Sequence, residues 1–266
     1  MESGAPSQRE VLFSVRNLSK VFPDFGGKGG GFRALSGLNL DIFAGECLLV
    51  AGSNGSGKTV LMKILAALMD MSGGEVLFRG LALGKALPRL RRELGLVFQD
   101  ADAQIVGETV AEDVAFGPKN LGFSGSALEE RVNRTLESMG LSAKRDFPSR
   151  DLSGGEKRRL AVAGILAMGC GIIIMDEPFA NLDYFGVLQV LELIRDEKAR
   201  GATLIILTHE LEKVLAFADR LLILDRGKLR DDGKPEDVLD RLLPEYGIRD
   251  PRQSYRSAGD CTWLPA

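Results

Sequence analysis

Apolar and polar positions alternate in VLFSVRNLSKVF and again in ALSGLNLDIFAGECLLVAG, which predicts three strands, the last ending at Ala51 or Gly52. A glycine-rich turn follows. From Lys58 to about Met69 the apolar side chains Leu61, Ile64, Leu65 and Leu68 recur at helical spacing, completing a strand, turn and helix unit. GEVLFRG and LGLVFQ read as further strands. Over residues 109–150 the pattern turns helical with Gly and Pro punctuation; in SALEERVNRTLESMG, Ser126 is placed to cap a helix and Glu129 to complete a capping box. From Gly171 strands and helices alternate again: GIIIMD as a buried strand, residues 187–200 as a helix, ATLIILT as a strand, HELEKVLAFAD as a helix, and RLLILDRGK as a strand pair with a turn. Short β-rich runs between helices predict an α/β fold whose mostly parallel sheet is covered on both faces, with an N-terminal β portion and a helical insertion. The run GGKGGG at 26–31 reads as a flexible loop, and no periodicity is evident after about Pro244.

Composition narrows the function classes. At 266 residues the chain can form one large domain or two small ones, and 45% hydrophobic content fits a folded protein. Lys plus Arg total 34 against 37 Asp plus Glu, a formal charge of -3, so no global positive field gathers nucleic acid. Cys47, Cys170 and Cys261 are odd in number and far apart, which suits a reducing compartment better than a disulfide scaffold. MESGAPSQRE lacks the apolar core of a secretory signal. The longest uncharged stretch, 160–175, carries three glycines and is shorter than the roughly 20 apolar residues that span a bilayer. It reads as a buried helix followed by a buried strand, and a membrane role is expected to come through a partner.

GSNGSGKT, Gly52–Thr59, matches the phosphate-binding loop pattern and lies after an apolar strand and before a helix, as the chemistry requires. Glycines let backbone N–H groups converge on phosphates, the helix N-terminus adds positive potential, Lys58 reaches the β and γ phosphates, and Thr59 can hold Mg²⁺. IIIMDEP places Asp176 and Glu177 at the tip of a buried strand, where adjacent carboxylates are costly without a cation or a task. Asp176 suits a Mg²⁺ contact and Glu177 can polarise an attacking water as general base. DLSGGEKRRLAVAGILAM sets Ser153, Gly154 and Gly155 at the head of a long helix with Glu156 in its first turn, a second helix end that attracts anions. By spacing alone that segment is better read as an ordinary capped helix. A single nucleotide has no obvious use for both helix ends within one subunit.

Taken together and in order, these segments resemble the motifs of the ABC ATPases: GSNGSGKT the Walker A loop, Gln99 the Q-loop, LSGGE the signature, IIIMDEP Walker B, ANLD (Ala180 to Asp183) the D-loop, and THE with His209 the switch. The resemblance spans roughly residues 10–235. It implies a phosphate-loop NTPase fold of ABC ATPase type over residues 10–266, with a core and β portion at 10–98 and 160–240, a helical subdomain at 99–159 and a tail at 245–266. It further implies ATP held by Phe22, Gly52, Ser53, Asn54, Gly55, Ser56, Gly57, Lys58, Thr59 and Val60, with Phe22 stacking on adenine. Mg²⁺ is implied at Thr59, Gln99 and Asp176, and catalysis by Glu177, His209, Lys58 and Gln99. Two copies, or one copy and a related chain, are implied to pair head to tail through Asn181, Leu182 and Asp183. Ser153, Gly154, Gly155 and Glu156 of each then close over the other's ATP.

A narrower resemblance lies in VFQDADAQIVGETVAEDVAFGPKNLG, which is similar to the ATPases of energy-coupling factor importers of vitamins or transition-metal ions. Those relatives read Asn-Pro after the glutamine, where this chain has Asp100 and Ala101. The subgroup implies a transmembrane coupling subunit, a substrate-binding membrane subunit, a peripheral position on the cytoplasmic face of the membrane, and a short helix formed by Gln104 and the segment after it, beside the groove that receives the transmembrane subunit's coupling helices. The alternative is a soluble ABC protein acting on ribosomes or nucleic acid. Such proteins usually carry two cassettes in one chain or long coiled coils, and neither is evident here.

Overall fold

Four adjacent strands of a six-stranded sheet are buried at nearly every position, and successive residues feed two different cores. The computed structural model describes residues 9–23 and 31–253. In it, β3 (Cys47–Ala51), β7 (Ile172–Asp176), β8 (Thr203–Thr208) and β9 (Arg220–Asp225) pair in parallel, β6 (Leu94–Val97) joins the β7 edge, and β10 (Lys228–Gly233) closes the other edge antiparallel to β9. Leu49, Ile173, Leu204, Ile206 and Leu221 point to one face, and Leu48, Val50, Ile174, Ile205 and Leu222 to the other. The period-two alternation of a strand therefore shows up as two apolar layers, which is why these runs look continuously hydrophobic.

Different elements cover the two faces. One is packed by α3 (Val110–Asn120), α4 (Gly125–Ser138), α5 (Gly154–Met168) and α6 (Tyr184–Ala199), through residues such as Val114, Val132, Leu160 and Ile194. The other is packed by α1 (Lys58–Leu65), by α2 (Leu83–Glu93), and by a second, wholly antiparallel sheet. That sheet has the order β2 (Phe32–Phe43), β1 (Val11–Phe22), β4 (Gly73–Phe78), β5 (Leu81–Ala82). The predicted α/β fold, with a mostly parallel sheet and an N-terminal antiparallel portion, is what the chain adopts. Among the described residues no helix is long and apolar enough to cross a membrane.

Several local expectations change. The N-cap of α4 is Ser124, not Ser126, and its side chain makes no capping bond; Glu129 pairs with Arg145 at 2.6 Å instead of completing a capping box. Gly125 takes φ +58°, which starts the helix without help from a hydroxyl. Gln104 closes a turn, its N–H donating to the Ala101 carbonyl, and residues 105–107 after it form no helix. The helix expected after His209 is only α7 (Leu211–Val214) followed by a 3-10 turn, and α6 starts three residues before the expected 187, capped by Asp183. Two helices had no recognised pattern: α2, which contains Pro88 and buries only Leu83, Ala86 and Leu90, and α8 (Pro235–Asp240). The glycines at 26–30 and Cys261 lie outside the described residues. Within the tail, Ile248 is buried.

The α5–sheet junction is held by a close approach at Gly95 of β6. A Cβ there would lie 2.4 Å from Ile165 Cγ2 of α5 and 3.4 Å from Cys170 Sγ, and the branched Ile165 has little room to yield. Gly95→Ala is expected to destabilise the fold by about 1–3 kcal/mol through overpacking. The measurement is a urea denaturation curve, where the midpoint should fall at unchanged slope; an unmoved midpoint would refute this packing account.

Candidate active site

Between β3 and α1 the chain makes a loop that only glycine can follow at two points. Gly57, the N-cap of α1, has φ +107°, and a Cβ on it would lie 2.7 Å from Leu35 Cδ2 and 2.8 Å from the Ala34 carbonyl oxygen. A Cβ on Gly52 would sit 2.2 Å from the Leu224 carbonyl oxygen. With no side chain capping α1 and no acidic residue in its first turn, the N–H groups at its start are left for an anion. Asn54 and Gly55 are exposed at the tip of the loop, whereas Ser53, Thr59 and Val60 are half-buried. Ser56 is buried and its Oγ makes no hydrogen bond.

The parallel register carries the ends of β7 and β8 to the same edge as this loop. Thr59 Oγ1 donates to Asp176 Oδ2 at 2.7 Å, and Lys58 Nζ donates to the Gly52 carbonyl at 2.6 Å and lies 3.7 Å from Glu177 Oε1. Thr208 Oγ1 donates to Glu177 Oε2 at 3.0 Å, and His209 Nδ1 lies 3.0 Å from Glu177 Oε1. Glu177 itself has φ +48°, the left-handed region that non-glycine residues avoid, and precedes Pro178. Its N–H donates to the Leu207 carbonyl at 2.8 Å. The carboxylate is thus held from both strands, with only His209 reaching the surface.

Burial dominates the electrostatics. Desolvation pushes the Lys58 ammonium below its ordinary pKa against the opposing pull of Glu177 and Asp176. It also pushes Asp176 above the usual carboxylate range, with Glu177 adding to the shift and Thr59, Lys58 and Arg158 countering it. Asp176 Oδ1 is buried and makes no hydrogen bond. An unpartnered carboxylate oxygen beside a threonine hydroxyl suits a hard cation. Mg²⁺ in particular takes only one or two protein oxygens and fills the rest of its octahedron with phosphate and water. Consistent with that, no group of three or more His, Cys, Asp or Glu is gathered as a metal cage among the described residues.

A second cluster forms at the head of α5. Ser153 and Glu156 form a reciprocal capping box, Ser153 Oγ accepting from Glu156 N–H at 3.3 Å and Glu156 Oε2 accepting from Ser153 N–H at 3.0 Å. Lys144 Nζ lies 2.6 Å from Glu156 Oε1. A Cβ on Gly155 would lie 3.7 Å from the Asn181 carbonyl oxygen and 4.0 Å from Leu182 Cδ2, so the Ser153 end and the ANLD turn are neighbours in one chain. Gly154 is exposed, and Asp183 accepts from Gly186 N–H at 2.8 Å to cap α6. Among the described residues no hydrogen bond joins this cluster to the phosphate loop.

Two expected site residues stand apart. Gln99 has an exposed side chain, and its carbonyl accepts from Arg158 Nη1 at 3.0 Å. Phe22 ends β1 half-buried, with Lys20 Nζ 5.2 Å above its ring. Three contributors were not singled out from the sequence. Thr208 was readable as a polar residue ending a buried strand. Lys144 and Arg158 carried no local signal. Gln104, expected in a helix beside a docking groove, instead ties two segments of this chain: its Oε1 accepts from Phe98 N–H at 3.0 Å and its Nε2 donates to the Ala161 carbonyl at 2.9 Å.

A strand, glycine loop and helix with a lysine and threonine facing two strand-end carboxylates define a phosphate-loop nucleotide-binding protein. The ABC transporter family model matches residues 35–180, and the chain belongs to that family. It is 42% identical over 245 residues to the cobalt import ATP-binding protein CbiO of Rhodobacter capsulatus, covering 90% of this chain and 85% of the relative. It is 37% identical over 249 residues to the energy-coupling factor transporter ATP-binding protein EcfA of Methanocaldococcus jannaschii, covering 92% and 87%. Among solved structures it is similar to CbiO1 of Clostridium perfringens, part of a CbiONQ transporter complex, with a TM-score of 0.72, 31% identity and coverage of 90% and 98%. It is also similar to a dimeric ATP-binding cassette in a post-hydrolysis state with ADP and phosphate, at a TM-score of 0.76, 25% identity and coverage of 84% and 99%.

The Lys144 ammonium, then the Ser153 N–H, pull the Glu156 pKa down from its ordinary 4.5 to about 2. Because the folded value is depressed, the stabilisation is complete above pH 4.5 and disappears as the pH falls through about 2. A ¹³C-detected carboxylate titration should find the Glu156 midpoint near 2, and Lys144→Ala should raise it toward 4.5. A midpoint indifferent to Lys144 would remove the ion pair from the account.

Proposed function

We propose that this chain is the ATP-hydrolysing subunit of an importer of energy-coupling factor type, taking up a vitamin or a transition-metal ion. The observation that carries the proposal is the convergence of Lys58, Thr59, Asp176, Glu177 and His209 on one sheet edge beside an uncapped helix start. The likeness to CbiO and EcfA supports the subgroup.

ATP lies with its phosphates over the residues 52–60 and its adenine against Phe22. Lys58 would reach the terminal phosphates, and Thr59 and Asp176, joined by Gln99 from its separate turn, would supply protein oxygens for Mg²⁺, which would neutralise charge on the phosphates. Glu177 takes a proton from the attacking water. The pair Thr208 and His209 holds the Glu177 carboxylate in place, His209 donating to it when Nδ1 carries a proton. A second copy, or a related chain, brings Ser153, Gly154, Gly155 and Glu156 over the γ-phosphate, with Asn181, Leu182 and Asp183 at the contact. Closure and reopening of that pair then move a transmembrane coupling subunit and a substrate-binding membrane subunit at the cytoplasmic face of the membrane. Nucleic acid is not a partner in this reading.

Glu177→Gln is expected to keep ATP binding while slowing hydrolysis about 10²–10⁴-fold, as loss of a general base does. Phosphate-release kinetics alongside a nucleotide-binding titration check this, and unchanged turnover would remove Glu177 from the role. Purification of the tagged chain in mild detergent is expected to bring down membrane subunits identifiable by mass spectrometry. Recovery with ribosomes or RNA instead would favour the soluble alternative.

A further inference from the structure

The largest fully buried side chain in the described structure is a cation with no carboxylate in contact. Arg158 lies in the second turn of α5, is 2% exposed, and makes no ion pair. Its five N–H donors are instead used on five backbone carbonyls. Nε donates to Pro178 O at 3.3 Å, Nη1 to Gln99 O at 3.0 Å and to Phe98 O, and Nη2 to Asp176 O at 2.8 Å and to Glu177 O. The charge is compensated at longer range by the carboxylates of Asp176 and Glu177, while burial opposes it.

These carbonyls belong to two segments that, among the described residues, no other side-chain hydrogen bond joins. One is the turn 176–178 at the end of β7, which carries Glu177 at φ +48° ahead of a proline, a conformation that needs external support. The other is the turn 98–99 at the end of β6. Arg158 fastens both to the helix that Ser153 caps and whose first turn holds Glu156. The planar guanidinium suits that task, since its donors leave in fixed directions toward separate segments; an ammonium offers three donors from a single point.

We propose that Arg158 is a positioning residue for hydrolysis: it holds the left-handed Glu177 turn and the Gln99 turn in register with α5, so that a shift of the Ser153 helix end is transmitted to the general base and not absorbed by the loops. The proposal rests on the reading of Glu177 as that base. It assigns no contact between Arg158 and nucleotide, so ATP affinity should be spared when the side chain is shortened.

The test uses the full chain and compares the parent, Arg158→Lys, Glu177→Gln and the double variant, measuring ATP binding, KM and kcat under multiple turnover and the rate constant of single-turnover hydrolysis. Arg158→Lys is expected to lower kcat at least tenfold with KM and ATP affinity within about threefold of the parent, the split expected when an interaction counts only in the transition state. In the Glu177→Gln background the same substitution should add less than about a threefold loss, because the group it positions is already disabled. Circular dichroism and a thermal melt establish that each variant is folded; if Arg158→Lys is not, Arg158→Gln, which leaves no buried charge, takes its place with the same expectations. A folded variant with unchanged kcat, or a double variant whose loss is the product of the two single losses, would overturn the inference. Failure of Glu177→Gln itself to slow hydrolysis would instead overturn the reading of the base, which keeps the two failures distinct.

Discussion

Four charges buried together at the end of the parallel sheet set the terms for everything around them. Lys58, Arg158, Asp176 and Glu177 are each 6% exposed or less, two positive and two negative. Any one of them alone in an interior would cost several kcal/mol, and removing one partner of such a set costs about 3–5 kcal/mol because the others are left uncompensated. Each charge of the cluster therefore depends on the others for its compensation. Its geometry needs the loop to bring Lys58 in from α1, β7 to deliver both carboxylates, β8 to deliver Thr208, and α5 to deliver Arg158. The parallel register, with Asp176 opposite Leu207 and Ala51 opposite Thr208, aligns those strand ends.

The cluster also bears the cost of an unfavourable backbone. A non-glycine residue at φ +48° costs about 1–3 kcal/mol. Glu177 is fixed there by its own N–H to Leu207, by Thr208 on its carboxylate and by Arg158 on the carbonyls around it. The strain aims a carboxylate outward from a strand whose remaining side chains are in the core. A relaxed β conformation at Glu177 would continue the strand, and its carboxylate would then follow the alternation into an apolar layer.

How much of this was legible in the sequence depended on whether the deciding interaction was local. β3, the glycine loop and α1 were legible because apolar periodicity and glycine spacing are local signals, and so was β7 with Asp176 and Glu177. The capping of α4 was misread because a serine and a glutamate three residues apart satisfy the local rule, yet Glu129 is claimed by Arg145, sixteen positions away. α2 was missed because its apolar face is only three residues wide and Pro88 interrupts the pattern. Arg158 was invisible for a similar reason. In LSGGEKRRL three adjacent basic residues look like a solvated face, and nothing local tells that the middle one turns inward to carbonyls twenty and sixty positions away. Its neighbours Lys157 and Arg159 are half-buried at most.

The same helix sets a chemical condition one turn before Arg158, at its N-cap. The Ser153 hydroxyl lies 3.0 Å from Glu156 Oε2, and its oxygen accepts from the Glu156 N–H, so both of its functions are engaged within the capping box. An anion that takes a hydrogen bond from that hydroxyl must turn its proton away from Glu156, leaving a carboxylate facing a second negative charge. Lys144, 2.6 Å from the other oxygen of Glu156, reduces the net charge the anion meets and gives the carboxylate a partner once Ser153 is gone. A glutamate is thereby compatible with an anion-binding helix end, and the lysine that makes it so comes from a short turn twelve residues earlier in the chain.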